Sequence, residues 1–187
     1  MSQEKTDPLY ALRHSCAHLL AWAVLDYFGS KVKFAIGPVI ENGFYYDFNL
    51  PREIKPEDLP ALEKLMKEKI RGHHAFRGEQ VTPDEARRRS ADQPYKLELI
   101  HDLAEEKSPI SYYTVGDFAD LCRGHHTENT QEINPEGIKL THTAGAYWRG
   151  SENNPMLTRI YGLAFDTKEK LETHLRLLEE ARKRDHR

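Results

Sequence analysis

Two short motifs of this 187-residue chain hold side chains with the chemistry for a site. In His14-Ser15-Cys16-Ala17-His18 the imidazoles stand at i and i+4, which on a helix puts their Cβ atoms about 6 Å apart, close enough to share a metal, a water or a substrate group. In Cys122-Arg123-Gly124-His125-His126 a thiol and an imidazole have the same spacing in a glycine-containing loop. Each pair alone has a plainer explanation. Isolated helical histidine pairs are more often satisfied core or surface residues than ligands, and a small buried thiol beside loop histidines is ordinary. Brought together, His14, His18, Cys122 and His126 would form a soft N/N/S/N set, which zinc accepts. A metalloprotease is set aside because Ser15 stands where H-E-x-x-H needs glutamate, and a serine hydrolase because no G-x-S-x-G elbow occurs.

The elements that must position these residues follow from capping signals and periodicity. Asp7-Pro8 and Gly29 bracket a helix at about 8–28, with Leu12, Cys16, Leu19, Leu20 and Ala23 on one stripe and His14, His18, Ala21 and Leu25 nearly opposite. A helix apolar on both sides is buried, so the histidines are expected to face an interior space. Residues 32–50 read as two antiparallel strands, with Asn42-Gly43 as the hairpin signal. Leu59, Leu62, Met66 and Ile70 keep helical spacing between Pro56 and Gly72. Thr82 and Glu85 form a capping box ahead of a short arginine-rich helix, and Tyr95, Leu99, Ile100 and Leu103 predict another. ISYYTV, IKLTHTAGAYW and MLTRIYGLAF are rich in β-branched and aromatic residues and read as strands. From Asp166, Leu171, Leu175, Leu178 and Arg182 mark an amphipathic helix running to Arg187 with no stop signal, as though cut. The expected fold is α+β: a largely antiparallel sheet packed around a buried N-terminal helix, with a projecting C-terminal linker helix.

Composition narrows the function classes. No apolar run approaches the roughly 20 residues of a membrane span, and MSQEKTDP lacks a signal-peptide core, so a cytoplasmic protein with no membrane partner is expected. Two cysteines give no disulfide framework. A net charge of -3 argues against coating nucleic acid by bulk charge. The basic groups are concentrated: Lys67 to Lys96 carries +3, leaving -6 elsewhere. Arg71, Arg77, Arg87, Arg88 and Arg89 could meet phosphates there, although an arginine-rich helix face is also a common way to stay solvated.

ALRHSCAHLLA, FAIGPVIENGFYYDF, DLCRGHH and TAGAYWRG resemble, in order and spacing, the editing domain of bacterial-type threonyl-tRNA synthetases. RIYGLAF and the tail to KRDHR resemble its linker to the aminoacylation core. The histidine pairs are shared with alanyl-tRNA editing proteins, whereas RHSCAH, the CRG tripeptide and AGAYWRG look like the threonyl branch. The resemblance implies an editing domain over residues 1–160 and a linker strand and helix over 161–187. No ubiquitin-like domain precedes it and no class II catalytic motif follows, so this chain alone is not expected to activate an amino acid. The activity implied is hydrolysis of the seryl ester on tRNA(Thr), since one missing methyl gives a synthetic site only about 1–3 kcal/mol with which to reject serine. A free-standing editing factor for another mischarged species, such as Ser/Gly-tRNA(Ala), and a non-catalytic zinc or RNA-binding module are the alternatives.

By the same resemblance, His14 and Lys96 match positions that orient and activate the water, and Cys122 and His126 match positions that contact the seryl group and the water. His18 and Asp120 match the closer surroundings, with Asp120 suited to gripping the seryl ammonium. Tyr46 and Tyr113 match positions near the terminal adenosine, and Tyr45, on the opposite face of the strand, reads as strand core. Related alanyl-tRNA editing proteins hold zinc with the four-residue set, whereas the threonyl branch works with water and side chains. No cofactor is therefore required, with zinc as the open alternative. His125 replaces the family's usual proline, which predicts a less rigid loop and a spare imidazole able to compete with His126.

Overall fold

The computed structural model describes residues 7–186; the segment MSQEKT and Arg187 lie outside the described residues. Five helices are present there: α1 (Tyr10–Phe28), α2 (Asp58–Arg71), α3 (Pro83–Arg89), α4 (Pro94–Glu105) and α5 (Lys168–Asp185). The strands are β1 (Lys33–Phe34), β2 (Val39–Ile40), β3 (Gly43–Asn49), β4 (Phe76–Val81), β5 (Ile110–Val115), β6 (Phe118–Leu121), β7 (Ile138–Tyr147) and β8 (Met156–Ala164). All strand pairs are antiparallel, and they divide into two sheets. One runs β1-β3-β8-β7 with β2 also on β3; the other is β4-β5-β6.

The expected α+β fold around a buried first helix is what forms. Every residue of α1 from Leu12 to Val24 is buried. Leu19, Leu20 and Val24 share one cluster with Phe44, Phe48 and Ile160 of the larger sheet, Leu62, Met66 and Ile70 of α2, and Val115 and Phe118 of the smaller sheet. Burying one such side chain stabilises by about 1.5–3 kcal/mol, so this cluster is the main cohesive element of the fold. Arg13 fixes the angle of α1: its Nε donates to the Ala164 carbonyl at 2.9 Å and its Nη1 lies 2.9 Å from Asp7. Asp7 accepts from the Leu9 N–H at 2.8 Å, so it caps a preceding turn and the helix begins two residues later than the proline signal indicates.

Lys96 reaches the interior because α4 is tied down at its start. The Gln93 side chain accepts from the Phe34 N–H at 2.8 Å and donates to the Val32 carbonyl at 3.3 Å, hooking α4 to the β1 edge. Thr82 caps α3 by accepting from the Glu85 N–H at 3.2 Å, while the Glu85 carboxylate turns to Arg88 and Arg89. Thr167 caps α5, on which Leu171 is buried and Leu177 and Leu178 are exposed.

The hairpin turns on Glu41-Asn42, one residue earlier than the Asn-Gly signal suggests: Asn42 takes the positive φ (66°) and Gly43 pairs with Ile40. Gly43 is required for a different reason, since a Cβ there would collide with the Gly162 carbonyl oxygen where β3 crosses β8. Strands β4 and β6 were not expected, and β7 ends at Tyr147 because Trp148 opens a short 3-10 turn. The division expected after residue 160 falls inside β8, which remains paired on both sides there. Gly43→Ala is expected to lower unfolding stability by about 1–3 kcal/mol, read as a lower urea midpoint, because backbone rather than a flexible side chain must move. An unchanged midpoint would mean that β3 and β8 are not this close.

Candidate active site

The two motifs meet. One donor atom from each of His14, His18, Cys122 and His126 lies within 4.8 Å of the other three. Residues His14 and His18 sit one turn apart on α1, and the loop after β6 brings the other two over them. The His126 ring stacks on His14 with centroids 4.3 Å apart, meets His18 edge-on at 4.3 Å, and is backed by Phe76 at 4.8 Å. Its Nε2 lies 3.3 Å from Cys122 Sγ, which also accepts from the Gly124 N–H at 3.2 Å. Gly124 has φ 83° and sits against the Tyr113 hydroxyl, where a side chain would not fit. Nδ1 of His14 lies 3.2 Å from the His125 carbonyl. A carbonyl only accepts, so Nδ1 carries the proton and Nε2 is the basic nitrogen.

Beside this cluster is a buried ion pair. Nζ of Lys96 is 2.7 Å from Asp120 Oδ1 and donates to the Tyr46 hydroxyl at 3.1 Å; that hydroxyl donates to Asp120 Oδ2 at 2.6 Å. Lys96 is 5% exposed, Asp120 4% and Tyr46 0%. Nε2 of His18 lies 3.8 Å from Asp120 Oδ2, beyond hydrogen-bond range, and its Nδ1 is buried with no hydrogen-bond partner among the described residues.

Burial controls the protonation states. It holds His18 well below the usual imidazole range, with His14 and Lys96 adding to the effect, and it depresses His126 likewise, helped by His18 and His14. Both rings are neutral at pH 7. Burial also pushes the Cys122 thiol up to about 12, outweighing the Gly124 N–H that favours thiolate. Tyr46 is held well above the usual phenol range by burial and then by Asp120. The site therefore offers neutral imidazoles, a thiol and one ammonium already matched by a carboxylate.

The cluster opens on a cleft of about 480 Å³ lined by His14, Cys122, Arg123, Gly124, Tyr10 and Pro38, a size that admits a nucleoside. A second cavity of about 400 Å³, lined by Arg89, Asp117 and Phe118, reaches Lys96 and Asp120 but none of the histidines. Lys96 and Asp120 thus lie between the histidine cluster and that second space.

A family model described as "Threonyl and Alanyl tRNA synthetase second additional domain" matches residues 110–161. The chain is 51% identical to the threonine–tRNA ligase of Dehalococcoides mccartyi over 96% of its own length and 30% of that protein. It is 50% identical to that of Rubrobacter xylanophilus over all of this chain and 28% of the relative, and 50% identical to that of Thermotoga neapolitana over 94% and 27%. Over nearly its whole length the chain is similar to a part of threonine–tRNA ligases. It spans about 30% of the length of the relatives it matches.

Some of the roles expected from the sequence need correction. Tyr46, expected near the terminal adenosine, presents no ring to a ligand, because the ring is enclosed against Phe48 at 4.7 Å and only its hydroxyl reaches Lys96 and Asp120. Tyr45, read as strand core, is half-buried on the opposite face beneath the Arg159 guanidinium at 3.8 Å. Both Asp120 oxygens are already engaged, by Lys96 and Tyr46, so a grip on the seryl ammonium would have to add to those contacts. Tyr113 is half-buried, with its ring 4.8 Å from His126. His125 does not compete with His126: its exposed ring packs toward Tyr10 at 5.3 Å. Arg87 pairs with Asp84 at 3.0 Å, Arg88 with Glu85, and Arg89 with Glu79 and Glu85 at 3.0 Å; Arg71 lies 3.7 Å from Glu136 and Arg77 is exposed on β4. Of these arginines, Arg89 lines a cavity that also touches Lys96.

Arg123, which the sequence marked only as part of the CRG tripeptide, lines the cleft mouth. Its position after Cys122 was the available signal. The four donors fit zinc in type, and the orphaned His18 Nδ1 is a group that a ligand would satisfy.

Removing one partner of the buried pair should be costly. Lys96→Met or Asp120→Asn alone is expected to lose about 3–5 kcal/mol in urea unfolding, because the remaining charge is stranded. The double substitution should recover a substantial part of that loss. Strictly additive losses would mean that the two side chains do not depend on each other.

Proposed function

We propose that this domain hydrolyses the ester of serine mischarged onto tRNA(Thr), as the proofreading part of a threonyl-tRNA synthetase. The observation that carries this reading is the convergence of His14, His18, Cys122 and His126, of which His14 and Cys122 line a nucleoside-sized cleft, with the Lys96–Asp120 pair beside His18. The ester is already activated, so three tasks remain: place a water, take its proton, and stabilise the oxyanion. His14 takes the proton at Nε2. Lys96 spends two N–H groups on Asp120 and Tyr46 and directs the third at the carbonyl oxygen as charge builds there. Cys122 and His126 hold the seryl side and the water. The water adds to the carbonyl carbon, the bond to the ribose oxygen breaks, and His14 returns the proton to that oxygen, leaving serine and an uncharged 3′ end. His18, neutral and buried, supports the floor, and Tyr113 lies where the terminal adenosine enters.

Zinc held by His14, His18, Cys122 and His126 would polarise the carbonyl or fix the substrate. A closed four-ligand shell leaves no position for catalytic water, and the sequence of events above draws only on this chain's side chains. The acceptor stem of the tRNA and a class II aminoacylation core are the partners this reading requires, in the cytoplasm where charging takes place. The basic residues from Arg71 to Arg89 would contact the stem phosphates, with Arg87, Arg88 and Arg89 exchanging carboxylates for phosphates.

The test compares Ser-tRNA(Thr) with Thr-tRNA(Thr). Wild type should release serine and spare threonine, for whose methyl the pocket lacks room. His14→Ala should cut the rate by about 10²–10³ with the fold intact, and Lys96→Ala at least as much. Equal rates for wild type and both variants would remove the mechanism, and similar release of both amino acids would remove the selectivity. Chelator treatment is expected to leave the rate unchanged; a rate restored only by added zinc would assign the four side chains to a metal. Replacing Arg87, Arg88 and Arg89 by alanine should flatten the dependence of tRNA affinity on log salt by up to about 3. An unchanged slope would make α3 a solvated face.

A further inference from the structure

Ser15 stands between the two histidines of the first motif, and sequence reasoning used it only to set a metalloprotease aside. It is fully buried on α1. Its Oγ accepts from the Thr127 N–H at 3.0 Å and from the Thr127 hydroxyl at 3.4 Å, and lies 3.1 Å from Nδ1 of His126. A serine hydroxyl has two acceptor positions and one proton. Thr127 fills both acceptor positions. The acceptor in contact with the serine proton is therefore His126 Nδ1, so this nitrogen carries the lone pair and Nε2 carries the ring proton, directed at Cys122 Sγ 3.3 Å away.

We propose that Ser15 is a positioning residue that holds His126 in one tautomer and one ring plane, committing its Nε2 to the centre shared with Cys122, His14 and His18. Cys122 Sγ, at the other ring nitrogen, can donate or accept and so does not make that choice by itself. Phe76 and His14 clamp the two faces of the His126 ring, but stacking does not distinguish a ring from its flipped counterpart. A hydrogen bond at one ring nitrogen does, as second-shell partners of metal-bound and catalytic histidines do. Because Ser15 is on a helix buried from Leu12 to Val24, the hydroxyl is fixed before substrate enters. The same contacts hold the 122–127 loop down through Thr127, so one side chain sets both the loop position and the orientation of its imidazole.

The role in turnover rests on the proofreading reading; the tautomer does not, and the two can be measured apart. Long-range ¹H–¹⁵N correlation on the full chain labelled in histidine, stripped of metal by chelator, gives the protonation of each ring nitrogen, with His126 assigned by loss of its signals in His126→Asn. The expected wild-type result is a single species protonated at Nε2. A wild-type His126 protonated at Nδ1 overturns the proposal without any variant. In Ser15→Ala, with melting checked by circular dichroism, the Nδ1-protonated form should appear as a second species, and Ser15→Thr, which keeps the hydroxyl, should restore the single one. An unchanged tautomer in folded Ser15→Ala also overturns it. On Ser-tRNA(Thr), Ser15→Ala should lower kcat about tenfold or more with KM nearly unchanged. Absence of deacylation by wild type would remove the proofreading reading and leave the tautomer result standing.

Discussion

A helix surrounded on every side by protein leaves its polar side chains no water to turn to, and α1 is such a helix. An unsatisfied buried polar group costs about 1–3 kcal/mol, so each polar residue on α1 must find a partner from another element. Arg13 finds the end of β8 and Asp7, Ser15 finds Thr127 and His126, and His14 finds the His125 carbonyl. Apart from Asp7, these partners lie far away in sequence. The requirement that α1 be satisfied is therefore also what brings the 122–127 loop over it, so the same contacts that complete the fold assemble the histidine cluster. His18 is the exception, with one ring nitrogen unpaired among the described residues.

The second constraint is electrostatic. An ammonium with 5% exposure is tolerable only with a carboxylate beside it, and Asp120 supplies one at 2.7 Å. Tyr46 closes the ring and removes any reason for the phenol to ionise. The pair is close to neutral as a unit, the imidazoles of His18 and His126 are kept neutral, and the Cys122 thiol stays protonated. In such a low-charge, weakly polarisable surrounding, a negative charge developing on substrate near Lys96 interacts far more strongly than it would in water. The arrangement suits a reaction that creates an oxyanion and suits poorly one that needs a thiolate nucleophile.

What was legible in the sequence was what depends on local period and spacing. The two-sided apolar pattern of α1 predicted its burial, and the i, i+4 spacings of His14/His18 and Cys122/His126 predicted which atoms could converge. Signals with no local expression were missed. In β4, Phe76-Arg77-Gly78-Glu79-Gln80-Val81 is exposed through its middle and carries no alternation, and β6 is four residues long, too short to display a period. The roles of Tyr46 and Asp120 could not be read because both depend on a nonlocal partner: Lys96 arrives only once Gln93 has hooked α4 to the β1 edge. Arg87, Arg88 and Arg89 looked available because sequence shows charge but not the conformations that pair them with Asp84, Glu85 and Glu79.

On the proposed reading, rejecting a substrate that is larger by one methyl would place a demand on the frame rather than on the reacting groups. A pocket that yields by a few tenths of an ångström accepts the methyl, whereas forcing it into walls that cannot move costs about 1–3 kcal/mol, the scale of overpacking in a protein core. The walls here are of the second kind. His14 and His18 project from a helix packed on all sides, the Lys96–Asp120 pair cannot shift without stranding a charge, and the Cys122 loop is held by Ser15 and by the Tyr113 hydroxyl against Gly124. Arg123, which also lines the cleft, is exposed. On the proposed reading, the comparison between hydrogen and methyl would be made against side chains that are buried and held by partners on other elements.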